Sequence, residues 1–122
     1  MFCILALFLY IHIYITMAKI TYKDLEGNSK TIDVENGLSV MEGAIQNDIS
    51  GIDADCGGAM ACATCHVYVE EKWFNKLPKA EDGEQDMIDV AFEPKKNSRL
   101  SCQLLVTDEL DGLVVTTPEK QS

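Results

Sequence analysis

The chain has 122 residues, with 20 Asp and Glu against 10 Lys and Arg, a formal net charge of −10 and a pI near 4.4. That length provides for one domain with a modest core. The acidity argues against nucleic acid and anionic membrane surfaces as partners, and suits long-range attraction to a basic protein surface.

In chain order, the first stretch reads MFCILALFLYIHIYI, with no charged side chain before Met17. It is shorter than the roughly 17–25 apolar residues of a membrane span. It lacks the basic n-region and small-residue cleavage site of a secretory signal, and the Arg- and Ser-rich composition of a transit peptide. The reading is an apolar extension over 1–16, translated upstream of a true start at Met17, and a domain over 17–122. The alternative is a short anchor that tethers the domain to a membrane.

From Met17 the pattern changes. Ala18, Ile20 and Tyr22 alternate with Lys19, Thr21 and Lys23, the period of a half-buried strand. Turn residues Glu26-Gly27-Asn28-Ser29 and a second alternating run at Thr31–Val34 predict a hairpin. Ser39-Val40-Met41-Glu42 has the capping-box form, and Val40, Met41, Ala44 and Ile45 recur at helical spacing. Further on, the sequence predicts a strand over 66–69, a short helix over 71–76 and a longer helix over 81–92. A strand over 100–106 and a last strand over 112–116 follow. Trp73 reads as a packing anchor. The succession is an α+β pattern.

Between the first helix and the third strand lies Cys56-Gly57-Gly58-Ala59-Met60-Ala61-Cys62-Ala63-Thr64-Cys65-His66. Cys102 follows after 36 intervening residues, giving C-x5-C-x2-C…C. Four thiolates, two per iron, are what one [2Fe–2S] cluster requires. Gly57 and Gly58 let the backbone take positive φ and approach a cluster closely. The competing donor set is structural zinc, which takes four cysteines but usually as two close-spaced pairs. Disulfides would suit a small secreted domain. Cys3, the fifth cysteine, falls outside the pattern. Asp53 and Asp55 put negative charge beside the loop and are expected to lower a reduction potential.

The extra residue in the loop, Thr64 and His66 around Cys65, and Arg99-Leu100-Ser101-Cys102-Gln103 together resemble the vertebrate-type [2Fe–2S] ferredoxins, the family of adrenodoxin and putidaredoxin, in its bacterial branch. The resemblance runs from about Met17 to Pro118. It implies the β-grasp fold, a mixed sheet with a helix packed across it. It implies a monomeric one-electron carrier and not an enzyme, with cluster ligands Cys56, Cys62, Cys65 and Cys102. It also implies that His66 braces the cluster loop by hydrogen bonds.

Asp82, Asp86 and Asp89, with Glu93 beyond, are spaced to fall on one helical stripe, with Met87, Ile88 and Ala91 opposite. The resemblance makes Asp82, Asp86 and Asp89 a docking surface for a flavoprotein ferredoxin reductase and for the acceptor. It also places an acid where Gly83 stands. The acceptor implied is a cytochrome P450 or, alternatively, the iron–sulfur assembly machinery, in the cytoplasm. Arg99 is expected to pair with an acid of the domain. The reading from another class is a zinc-stabilised binding module without redox activity.

Overall fold

The computed structural model describes residues 16–121. The run 1–15, with Cys3 and nearly all of the predicted extension, lies outside them. Strands β1 (Met17–Lys23) and β2 (Ser29–Glu35) form the expected hairpin, paired from Met17↔Glu35 to Lys23↔Ser29. Asp24 shapes its turn: one carboxylate oxygen accepts from the N–H groups of Glu26 and Asn28. Helix α1 (Val40–Gln46) begins at the predicted capping box. Ser39 Oγ accepts from Glu42 N–H at 3.0 Å, and Glu42 Oε1 accepts from Ser39 N–H at 3.1 Å. Then come β3 (His66–Val69), α2 (Glu71–Phe74), α3 (Asp82–Asp89), β4 (Ser98–Leu100) and β5 (Leu113–Thr116). The sheet order is β2-β1-β5-β3-β4, with β1 and β5 parallel and the other neighbours antiparallel. This is the β-grasp arrangement.

The core runs between the sheet and α1. Ile20, Val40, Val67, Val69, Leu100, Leu113 and Val115 are fully buried in it. Tyr22 joins β1 to α1 by donating its hydroxyl to Val40 O at 2.7 Å, and burial pushes its phenol pKa up, so it stays neutral. Trp73 packs on the core's edge with Lys76 Nζ 5.0 Å from its ring centroid. No helix among the described residues is long and apolar enough to cross a membrane.

Three elements differ from expectation. The helix predicted over 81–92 stops at Asp89, with Val90 as its C-cap; Glu93 beyond takes φ +47. The helix predicted over 71–76 spans only Glu71–Phe74. The strand predicted over 100–106 ends at Leu100, and Cys102 sits in a 3₁₀ turn, Ser101–Gln103. The cause is Ser101, whose N–H and hydroxyl both donate to Cys65 O, at 3.0 and 2.7 Å, and bend the chain inward. Of the remaining predicted strand, Leu105 makes one isolated bridge to Ser39. The 3₁₀ turn Asp108–Leu110 had no sequence signal.

Gly43 lies in the middle of α1, where alanine is favoured by about 1 kcal/mol. Yet a Cβ there would stand 2.6 and 2.8 Å from the two Val34 methyls. Overpacking of that kind costs about 1–3 kcal/mol and outweighs the propensity gain. Gly43→Ala should therefore lower the thermal midpoint followed by far-UV circular dichroism. A raised midpoint would show that helix propensity wins.

Candidate metal centre

The loop between α1 and β3 is tied at its neck. Asp53 and Ala54 donate their N–H groups to Thr64 O at 3.0 and 3.1 Å. Thr64 Oγ1 accepts from Asp55 N–H at 2.8 Å, which leaves its own hydrogen for Cys62 Sγ at 3.0 Å. Gly57 and Gly58 take φ +65 and +96, as the sequence requires. Ala54, Met60 and Ala63 also take positive φ, a conformation that costs an L-residue with a Cβ about 1–2 kcal/mol. Gly58 brings the loop to Cys102: a Cβ built on it would lie 3.7 Å from Cys102 Cβ.

Thus the four predicted cysteines meet from two distant segments, all of them free of disulfides. Their sulfurs act on one another's acidity in two pairs, Cys56 with Cys62 and Cys65 with Cys102. Two sulfurs per metal is the donor set of a two-iron cluster; four on one point is that of zinc. The thiols differ in acidity. The Cys62 thiol, then the N–H groups of Ala61, Gly58 and Ala59, bring Cys56 down to about 6. The Cys65 thiol brings Cys102 down to about 7, whereas the Cys102 sulfur and burial push Cys65 up. Cys62 Sγ also accepts from Cys56 N–H at 3.2 Å, and Cys102 Sγ from Gln103 Nε2 at 3.4 Å.

His66 is fully buried beside Cys65. Ser98 Oγ accepts from Lys95 N–H at 2.8 Å and is hydrogen-bonded to His66 Nε2 at 2.7 Å. Burial brings the His66 pKa down to about 4, so the ring is neutral. It meets Tyr68 edge-on with centroids 4.8 Å apart. The histidine braces β3 against β4.

Arg99 finds its acid in Glu84, which the sequence reading did not single out. Both side chains are buried, at 5 % and 3 % exposure. Arg99 Nε and Nη2 donate to the two Glu84 oxygens at 2.7 and 3.0 Å, and Nη1 donates to Pro78 O at 2.7 Å. Leu100 N–H adds a third donor to the carboxylate at 3.0 Å. The available signal was an acid four residues before Ile88, on the apolar side of α3.

Asp82, Asp86 and Asp89 are all exposed on α3, as expected. Glu93 lies beyond the helix and does not extend its stripe. Where Gly83 stands, a Cβ would be 3.1 Å from the Met60 methyl, so the cysteine loop touches α3 there. Asp53 and Asp55 are exposed at the loop's start.

A profile of the 2Fe-2S iron-sulfur cluster binding domain matches residues 23–107. The chain belongs to that family. Putidaredoxin of Pseudomonas putida is 46 % identical over 106 residues, covering 86 % of this chain and 99 % of that one. A crystal structure of a reduced cysteine-to-serine variant of putidaredoxin superposes with a TM-score of 0.84 at 44 % identity, covering 86 % of this chain and 100 % of the other. Putidaredoxin in its covalent complex with putidaredoxin reductase superposes with a TM-score of 0.80 at 46 % identity, over 84 % and 100 % of the two chains. This ferredoxin carries one [2Fe–2S] cluster and is an electron carrier, not an enzyme. The zinc-module reading falls with those matches.

Removing one partner of a buried ion pair costs about 3–5 kcal/mol. Glu84→Ala strips Arg99 of its counterion and leaves Leu100 N–H unpaired. Its thermal midpoint should fall by roughly 12–25 °C, scaled for a domain of about 100 residues. A fall of only a few degrees would show that water reaches Arg99 and replaces the carboxylate.

Proposed function

We propose that this ferredoxin takes one electron from an NAD(P)H-dependent flavoprotein reductase and delivers it to a cytochrome P450 monooxygenase. It acts as a monomer in the cytoplasm, a compartment that suits four free cysteines. Cys56, Cys62, Cys65 and Cys102 hold the irons; Gly57, Gly58 and His66 support the loop. The observation that carries the docking assignment is the exposed acidic stripe of α3. Through the buried Glu84 it is fastened to the strand that ends two residues before Cys102. The reductase is supported by the covalent complex that putidaredoxin forms with its own reductase. The P450 acceptor is supported by the loop Cys-Gly-Gly-Ala-Met-Ala-Cys-Ala-Thr-Cys-His, which resembles bacterial members of that branch.

When bound, the cluster supplies a site that gains and loses one electron. The chain's task is to stabilise the added negative charge. Cys56 N–H and the Thr64 hydroxyl donate toward Cys62, and Gln103 donates toward Cys102. Such donors favour the reduced state and raise the potential, whereas Asp53 and Asp55 oppose them. The exposed aspartates of α3 act at long range on association rate and partner choice.

The ligand assignment has an internal control. Cys56→Ser, Cys62→Ser, Cys65→Ser and Cys102→Ser should each abolish or badly weaken the visible absorption of the purified protein, and Cys3→Ser should leave it unchanged. A dispensable member of the four, with Cys3 required, means the ligand set is wrong.

The docking assignment is tested by rate. Asp86→Asn with Asp89→Asn should slow electron transfer from a basic-faced reductase, with the cluster spectrum unchanged. Charges of this kind are screened over about 8 Å at physiological salt, so added salt should slow the wild type more than the double variant. Equal rates and equal salt slopes would move docking to another surface. Turnover of a reconstituted P450, set against support of cluster assembly in vitro, decides the acceptor.

A further inference from the structure

Gln121 lies five residues past β5, in a tail outside every helix and strand, yet it is only 5 % exposed. Its carboxamide spends both ends on backbone. Oε1 accepts from His66 N–H at 3.2 Å, and Nε2 donates to His66 O at 2.9 Å and to Gly51 O at 2.6 Å. The two atoms treat His66 as a neighbouring strand would.

The reason is written in the β3–β5 register. Glu70 N–H donates to Val114 O, and Tyr68 stands opposite Thr116. Two residues further along β3, the register sets His66 opposite Pro118. Proline has no N–H and cannot continue the ladder. The chain leaves the sheet there, and the buried N–H and C=O of His66 would lack partners. Gln121 folds back and supplies one donor and one acceptor in place of the missing strand.

The same amide reaches Gly51, at the other end of the cysteine loop. Gly51 has φ +92, and a Cβ on it would stand 2.8 Å from Thr117 Cβ, so the tail presses on that point twice. Loop 51–66 is therefore closed at its base by one carboxamide, just outside the ties from Asp53 and Ala54 to Thr64 O. His66 directly follows Cys65.

We propose that Gln121 is a positioning residue for the cluster: it completes the sheet edge at His66 and fixes the separation of Gly51 and His66, and so the placement of Cys65 relative to the rest of the loop. This rests on the assignment of Cys65 as a ligand. Gln121 touches no sulfur and acts only through the backbone it holds.

The test uses the full-length cluster-loaded protein and Gln121→Met, which keeps the side-chain volume and removes the hydrogen bonds. Lys120→Met is the control, because Lys120 lies in the same tail, over the Phe92 ring at 5.1 Å, outside the clamp. In Gln121→Met the His66 amide should exchange with solvent about tenfold faster, and loss of the visible bands in chelator should accelerate about tenfold. The visible circular dichroism of the cluster should change shape at temperatures well below unfolding, which mere loss of stability would not cause. The control should match the wild type in all three. Unchanged His66 exchange overturns the clamp. Faster exchange with unaltered cluster dichroism and retention overturns the positioning role. A Cys65→Ser protein run in parallel that kept its visible bands would sink the ligand assignment instead, and the His66 exchange result would stand apart from it.

Discussion

The Arg99–Glu84 pair is buried at both ends and satisfied at nearly every polar atom. The carboxylate takes three donors, and the guanidinium spends its remaining reach on a backbone carbonyl. A buried pair of this kind is not stabilising by default, since removing two charges from water costs about as much as their attraction returns. Its value here is placement. Helix α3 has eight residues, too few to stand alone in water, and its buried side chains are Glu84 and Ile88. The ion pair and the Ile88 side chain are the buried hold on a helix whose other face is acidic.

From that anchor the chemistry of five consecutive residues follows. Ser98 orients the His66 ring, Arg99 holds Glu84, Leu100 adds its N–H to the same carboxylate, and Ser101 bends the chain by donating twice to Cys65 O. Cys102 then arrives against Gly58. Arg99 and Leu100 reach toward α3, and Ser101 and Cys102 toward the cysteine loop. The stretch is the physical link between the exposed acidic helix and the four thiols.

Much of this was legible in the residues. Alternation gave the hairpin, the Ser39–Glu42 pattern gave the start of α1, and cysteine spacing singled out the loop and its distant partner. What escaped depends on side chains that act across the fold. Cys102 was expected on a strand because its neighbours are apolar and alternate; Ser101 overrides that pattern by reaching Cys65 O, a contact no local period encodes. Glu84 was hidden among eight other acids from Asp82 to Glu119, although an acid on an apolar helix face facing a buried arginine is a readable conflict. Gln121 carried no signal, since its partner is the gap left by Pro118 in another strand's ladder.

The left-handed residues of the loop carry one more implication. Ala54, Met60 and Ala63 hold positive φ without the excuse of glycine, and the hydrogen bonds across the neck are few. Holding them there costs free energy, which the loop's own ties and the group bound by its thiolates must offset together.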